Sequence, residues 1–461
     1  LPRGIGLAHM EAISEIIAPI FWGVLLLSVL VFVHEGGHFL AARACGVRVT
    51  ELFLGMPCRF NVHFSSKRIG TKFGVTPLLI GGYAAICGMD PQTVPCAPAV
   101  LAAVHRHGTV SVSDLARELE LDPDDVLDAC AFLLGWGSIA PVYEDESKQS
   151  SKYYPMTYAS MPRDAAGNTV YDGKAFDRTH ATKQGDAWVP PMGDDEFYRC
   201  ERSHTYLGKG FWKRALMLVA GIIVNILTGF ILMVGVYSIV GIQSVDNVNT
   251  IGAVEAGSPA ASAGLKAGDA ILMVDGESTA TWEEVYNALQ ESGEDGAVDL
   301  TVEHDGSQRQ MTIELSDQGM LGISASVRTV RLNPLDSMRV GAMYIVQTAQ
   351  GIIRMLTPQH TVEMLNNSAS IVGISVLSAQ AAQAGAGTFL SFAALISFSL
   401  GFMNLLPIPP LDGGKLLIEI VQAVSRRQVP IKVQAAFSWL GIILFGLLFV
   451  YMLRVDILRL L

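Results

Sequence analysis

His34, Glu35 and His38 stand in the order His-Glu-Gly-Gly-His, and this spacing is the first place where the chain can do chemistry. Residues four apart share one face of a helix, so the two imidazoles can hold one metal ion while Glu35, beside them, takes a proton from a water molecule. That chemistry is hydrolysis, and the HExxH spacing is the one zinc peptidases use. Two histidines seldom complete such a site, because catalytic zinc usually takes three protein ligands and keeps one position open. Asp412 is the candidate for the third, at the end of 48 residues without a charge, Met364 to Leu411. A carboxylate at the edge of so apolar a stretch is unfavourable without a partner such as a metal ion. The prolines of Asn404-Leu405-Leu406-Pro407-Ile408-Pro409-Pro410-Leu411, with Gly413-Gly414 after Asp412, interrupt a helix there and let Asp412 turn towards the first motif. Gly36 and Gly37 each destabilise a helix by about 1 kcal/mol relative to alanine, which suits a place where another backbone comes close.

The elements that must position these residues are long and apolar. Ile16 to Val33 carries no charge and runs straight into His34 with no small-residue cleavage site, so it reads as a membrane helix and not as a signal peptide. Half of the 461 residues are apolar and the mean hydropathy is +0.38, high for a soluble protein. The expected fold is a polytopic α-helical membrane protein with about four transmembrane helices, at residues 13–45, 211–245, 371–411 and 433–455. Residues 1–12 read as a leader or an appended non-native remnant that precedes the fold.

Short basic flanks set the orientation. Arg43, Arg48, Lys209, Lys213 and Arg214 bracket residues 46–210, and Lys415, Arg426, Arg427 and Lys432 fill the loop 412–432. The positive-inside bias puts both in the cytoplasm, together with the HExxH motif, and residues 250–326 outside. All six cysteines lie before residue 201 and form no CxxC pair, which agrees with free thiols on a reducing side.

Residues 46–95 read as a membrane-associated β-hairpin turning at Ser65-Ser66-Lys67-Arg68 and ending at Gly81-Gly82-Tyr83. Residues 96–160 have the order helix, strand, two helices and a β-wing of an inserted winged-helix-like domain, with Ser113 and Asp122 as helix caps. Ten acidic residues there face only Arg106, Arg117, Lys148 and Lys152, which opposes nucleic-acid binding and favours a cytoplasmic protein partner. Residues 161–204 lack apolar periodicity and read as an extended linker. Residues 332–366 have the spacing of amphipathic helices lying on the membrane surface.

Residues 250–326 alternate strands with turn signals at Gly257-Ser258-Pro259, Asp275-Gly276 and Asp305-Gly306, and resemble a bacterial PDZ domain. The resemblance implies a groove for an extended peptide, with Met320, Leu321, Gly322 and Ile323 as its carboxylate-binding loop. Fourteen acidic residues against Lys266 and Arg309 again exclude nucleic acid.

Taken together, His34-Glu35-Gly36-Gly37-His38, the Asn404 to Gly413 stretch, Gly81-Gly82-Tyr83, Gly221-Ile222-Ile223-Val224-Asn225, the PDZ-like unit and Ile371-Val372-Gly373-Ile374 resemble the site-2 protease family of intramembrane zinc metalloproteases, in its RseP-like branch. The match leaves out residues 96–204. The resemblance implies one Zn2+ per chain on His34, His38 and Asp412, with Glu35 as catalytic base. It implies Asn404 on the substrate backbone, Gly81, Gly82 and Tyr83 along the substrate, and Asn225 in support. Ile222 and Lys415 depart from the usual pattern at positions expected to lie away from the ligands. The implied function is regulated intramembrane proteolysis in a bacterial cytoplasmic (inner) membrane. The implied substrates are single-span membrane proteins, such as trimmed anti-sigma factors or signal-peptide remnants, reached through the lipid bilayer. Two other classes remain open at this point: a non-proteolytic scaffold that binds peptides through the PDZ-like unit, and a metal transporter.

Overall fold

The computed structural model describes residues 3–79, 81–143, 155–292, 296–316, 320–357, 359 and 369–460. They form two compact units, one of Leu1–Leu232 with Gly341–Leu461 and the other of Met233–Val340. Among the described residues, four helices are long and apolar enough to cross a membrane: Ile17–Ala44, Phe211–Val240, Ala386–Asn404 and Ile431–Leu458. Their outer faces carry large apolar side chains, such as Phe21, Leu25 and Val29 on the first and Leu440, Leu447 and Val450 on the last. Such faces are solvated by lipid and not by water.

The first helix, α1 (Arg3–Ala44), ends in a Schellman turn. Gly46, at φ 71°, donates to the Arg43 carbonyl and Val47 donates to that of Ala42. The chain then enters β1 (Val49–Leu54), followed by β2 (Val62–Ser65), β3 (Lys72–Val75) and β4 (Gly82–Ile86). The expected single hairpin is instead a four-stranded sheet in the order β2-β3-β1-β4. The turn at Ser66 does join β2 to β3, but β1 lies between β3 and β4, parallel to one and antiparallel to the other. Alternation of residue types marks strands without naming their partners. As the edge strand, β4 runs beside α1.

Next come α2 (Ala97–His107), β5 (Thr109–Ser111), α3 (Val112–Leu119), α4 (Pro123–Gly135), β6 (Ile139–Val142) and β7 (Thr157–Ser160). The helices enclose Val100, Leu101, Leu115, Leu133 and Trp136, and β7 pairs with both β5 and β6. Asp122 caps α4 as expected, but Ser111 and not Ser113 caps α3, because Ser111 has the extended backbone a cap requires and accepts from Asp114. Tyr153 and Tyr154, part of the expected wing, lie outside the described residues.

Residues 161–204 are packed and are not the expected linker. Arg163, Thr169 and Glu201 are buried, and α5 (Asp194–Ser203) lies against α2 with Phe197 in the same core as Val100. A ladder of ions takes the place of apolar packing. Arg48, at the head of β1, binds Asp172 at 3.0 and 3.1 Å and Glu201 at 2.6 and 3.1 Å. Arg163 closes on the same Glu201 at 2.8 and 2.9 Å, and its Nε donates to His105 Nε2. Segment 161–204 is thereby joined to both the sheet and the preceding helices.

In this unit α6 begins at Phe211, and its helix runs to Gly235. The apolar run 371–411 breaks at Gly385, φ 115°, into α10 (Ile371–Gln383) and α11 (Ala386–Asn404); only α11 has spanning length. Residues 412–432, expected as a loop, contain α12 (Asp412–Ser425), and α13 (Ile431–Leu460) follows. The Asp456 carboxylate accepts the Ser370 and Gly373 amides at the start of α10.

The second unit opens with a π-turn at Val236–Val240 and then β8 (Ile242–Val245), a strand where the second span was expected to continue; Gly241, φ 87°, ends the helix. Its other elements are β9 (Ile251–Val254), α7 (Pro259–Ser262), β10 (Ala270–Val274), β11 (Glu277–Ser278), α8 (Trp282–Ser292), β12 (Ala297–His304), β13 (Ser307–Glu314), β14 (Ile323–Ala325) and β15 (Val327–Val330). Strands β11-β10-β12-β13 form one antiparallel sheet, with pairs β14-β9 and β15-β8 beside it. Asp275-Gly276 and Asp305-Gly306 close two hairpins with both residues at positive φ, as a primed turn requires. Ile251, Ile271, Val285, Leu300 and Ile313 fill the core. The helix α9 (Pro334–Met355) follows, capped by Asn333. Of the further stretch expected as surface helix, 358 and 360–366 lie outside the described residues.

Candidate metal centre

Three elements bring the site together: α1 supplies His34, Glu35 and His38, α12 supplies Asp412 at its first position, and α6 passes behind them. His34 Nε2 and His38 Nε2 each lie 3.0 Å from Asp412 Oδ2 and 3.1 Å from one another. All three residues are buried, and among the described residues they are the one group of His, Cys, Asp and Glu placed to hold a metal ion. Ligand atoms tetrahedrally disposed around zinc, with bonds of about 2.0–2.1 Å, stand roughly 3.3 Å apart. Two nitrogens and a carboxylate oxygen converging at nearly that separation match the donor set of a zinc ion with one position left open.

The backbone makes this convergence possible at glycines. A Cβ on Gly221 of α6 would lie 2.5 Å from His38 Nε2 and 2.7 Å from His34 Cε1, and one on Gly37 would lie 2.8 Å from the Ala220 carbonyl oxygen. Gly36, by contrast, has open space beside it. On the other side, a side chain at Gly413 would strike the Leu405 and Leu406 carbonyls, and one at Gly414 would lie 2.5 Å from Pro409 N. The proline-rich turn can therefore fold tightly against the start of α12 and aim Asp412 at α1.

Second contacts fix the imidazoles. His38 Nδ1 lies 2.7 Å from the Met217 carbonyl on α6, so Nδ1 carries the proton and Nε2 offers its lone pair. His34 Nδ1 faces the Asn225 amide at 3.3 Å. The same tautomer requires His34 Nδ1–H to donate, which assigns the amide oxygen of Asn225 to that position; Asn225 Oδ1 otherwise has no partner although buried. Ser397 on α11 in turn donates to the Asn225 carbonyl at 2.7 Å.

Glu35, half-buried, accepts the Ala84 N–H of β4 at 3.1 Å. The edge strand thus lies directly against the proposed base, an arrangement no residue type announced. Gly82 lets β4 pass there, since its Cβ would lie 3.8 Å from Glu35 Cγ and 2.9 Å from the Phe53 carbonyl oxygen. Gly81, φ 109°, holds the turn before it. Tyr83 is turned into the sheet, its hydroxyl donating to Glu51 at 2.8 Å and its ring stacked on Phe53. Asn404 is half-buried at the end of α11.

One departure from expectation lies at the ligands. Lys415, expected away from them, reaches Asp412 Oδ1 at 3.4 Å one turn along α12, so the two carboxylate oxygens face different partners. In the second unit, Leu321 and Gly322 accept hydrogen bonds through their carbonyls from Ala260 and Glu255, Ile323 pairs with Val254, and Met320 is exposed.

The sequence matches the model of peptidase family M50 over residues 22–448. Similar proteins include the regulator of sigma-W protease RasP of Bacillus subtilis, 26% identical over 447 residues that cover 95% of this chain and 97% of that protein. The zinc metalloprotease RasP of Bacillus licheniformis is 25% identical over 95% of this chain and 98% of its own length. That of Geobacillus kaustophilus is 25% identical over 94% and 95%. The family match runs across residues 96–204, which the motif resemblance had left out. The chain belongs to peptidase family M50, the site-2 protease family, and is a zinc-dependent metalloprotease.

Proposed function

We propose that this protein is an intramembrane endopeptidase of a bacterial cytoplasmic membrane, cleaving single-span membrane proteins near their cytoplasmic ends. The observation that carries the reading is the buried cluster of His34, His38 and Asp412 with Glu35 beside it on the edge of β4. One Zn2+ held by the two histidines and Asp412 supplies the Lewis acid that polarises a scissile carbonyl and acidifies water.

The chain's own residues do the rest. Glu35 accepts a proton from the attacking water, whose oxygen bonds to the carbonyl carbon. It then delivers that proton to the leaving nitrogen as the C–N bond breaks. A helical substrate has its amides bonded internally, so it must unwind before a peptide bond is exposed. The outer edge of β4 from Gly82, where the Ala84 N–H already bonds Glu35, is the surface on which an unwound segment would pair as an added strand, and Asn404 would hold its backbone. Phe60, Val62 and Phe64 are exposed around β2 and suit the membrane interface.

The substrates we propose are trimmed anti-sigma factors and signal-peptide remnants, and the Bacillus subtilis relative's name, regulator of sigma-W protease, supports a part in sigma-factor regulation. We place the second unit outside the membrane as a PDZ domain. Among the described residues its Leu321 and Gly322 amides donate to no partner, which leaves them for a peptide carboxylate. Residues 96–160 we read as a winged-helix-like module for protein contact. Metal analysis tests the site: the purified chain should hold about one zinc, lost on Asp412→Ala. Undiminished zinc in that variant would overturn the ligand set.

A further inference from the structure

A cavity of about 400 Å³ opens where α6 and α13 begin, apart from the histidines, and no step of the proposed reaction uses it. Three cations line it: Arg202 from the end of α5, Arg214 from the first turn of α6 and Lys415 from α12. They face one carboxylate, Glu419, which is 7% exposed. Arg214 Nη2 pairs with Glu419 Oε2 at 3.1 Å, Tyr206 donates to Oε1 at 3.2 Å, and Arg214 Nε is buried without a hydrogen-bond partner. Arg202 has no ion pair among the described residues, and the Lys415 side chain is 51% exposed while touching Asp412 only at 3.4 Å. Positive charge in the cavity therefore exceeds negative.

The remaining lining divides by chemistry. Gln92, Gln422 and Gln428 offer amide donors and acceptors of the kind that pair with hydroxyl groups, and Gln434, whose Nε2 donates to the Val429 carbonyl at 2.8 Å, offers its amide oxygen. Leu218, Ile418 and Ile431 form an apolar wall. Leu218 lies on α6 and Ile431 opens α13, both helices of spanning length. Trp212 and Lys213 are exposed in the first turn of α6, an aromatic and a basic residue of the sort that sit at headgroup level.

We propose that this cavity binds a phosphate ester bearing free hydroxyls, the chemistry of a glycerophosphate group, with Arg202, Arg214 and Lys415 on the phosphate and the glutamines on the hydroxyls. Charge-assisted bonds from guanidinium groups recognise phosphate more strongly than neutral donors do. The source is either the headgroup of an anionic phospholipid or a soluble ester, and the position at two helix starts favours the lipid.

The test uses the full chain in detergent and in nanodiscs. Native mass spectrometry would measure retention of phosphatidylglycerol against phosphatidylcholine, and a second arm would titrate soluble glycerol 3-phosphate while following thermal unfolding. Arg202→Glu removes a cation that holds no partner, and Gln422→Glu adds repulsion without removing a charge pair; either should weaken binding by about tenfold or more. Selective retention of phosphatidylglycerol that both variants reduce supports a lipid site. A variant-sensitive response to glycerol 3-phosphate alone supports the same site with a soluble ligand. Equal retention of both lipids, or binding that neither variant changes, would overturn it.

Discussion

At Gly221, α6 comes so near the histidines that a side chain there meets His38 Nε2 at 2.5 Å. Gly221→Ala must therefore move an imidazole or a helix, and a displacement near 1 Å lowers rate by about 100-fold. Gly36→Ala meets open space and should leave zinc content unchanged, so metal analysis and a cleavage assay on the pair separate close packing from the mere presence of glycine. Asn225→Ala removes the partner of His34 Nδ1, and such outer contacts are worth roughly 10–100-fold in metal affinity or activity. Zinc competition with a chelator measures it, and unaltered affinity would refute the assigned orientation. His34, Glu35, His38 and Asp412 were legible because ionisable groups in apolar surroundings stand out by type and spacing. The Met217 carbonyl and the Ala84 amide were not, since backbone groups are the same in every residue. The Lys415 contact with Asp412 is not legible in the sequence, because it depends on α12 beginning at Asp412, where prolines and glycines signal a loop.

Residues 161–204 teach the complementary lesson about elements. A reading by apolar periodicity finds a linker there, because the segment is held by Arg48, Arg163, Asp172 and Glu201, and buried ions leave no hydrophobic pattern. Removing one partner strands the others, so Arg163→Leu should lower stability by about 3–5 kcal/mol, read as the loss of the Trp136 and Trp188 fluorescence transition on heating. The same ladder sets a pH dependence. Burial, reinforced by Arg163, pushes His105 down to about 3 from the ordinary 6.5. The unfolded chain then binds this proton more readily, so stability falls as pH drops from 6.5 towards 3. Burial alone would raise Asp172 and Glu201, but the neighbouring arginines outweigh it and hold both below the usual carboxylate range. Their contribution is present above that range and is lost as pH falls through their own values. His105→Gln should lessen the fall in transition temperature as pH drops from 6.5 towards about 4.5, because the unfolded chain no longer gains this proton; an unchanged slope would contradict the assignment. The sheet shows a related limit, since strands and the turn at Ser66 were readable while the partner of β1 was not.

For the whole molecule, long uncharged runs made the spanning helices legible, while the break at Gly385, the helix end at Asn404 and the end at Gly241 shifted their limits. With the second unit at its proposed outer position, we further propose that it filters substrates, admitting those whose outer domains have been trimmed. Replacing residues 246–326 with a short flexible linker should then permit cleavage of a single-span substrate that still carries a folded outer domain, detected as its fragment on a gel. Absence of that fragment, with trimmed substrate still cut, would reject the filter. The role proposed for Glu35 beside the His34, His38 and Asp412 cluster is hydrolysis within the membrane. It is tested most directly by cleavage of a trimmed single-span substrate reconstituted with the unaltered chain or with Glu35→Gln, zinc being measured in both. Equal zinc and a loss of cleavage of at least about 100-fold are expected, whereas retained cleavage in the Glu35→Gln chain would rule out this role.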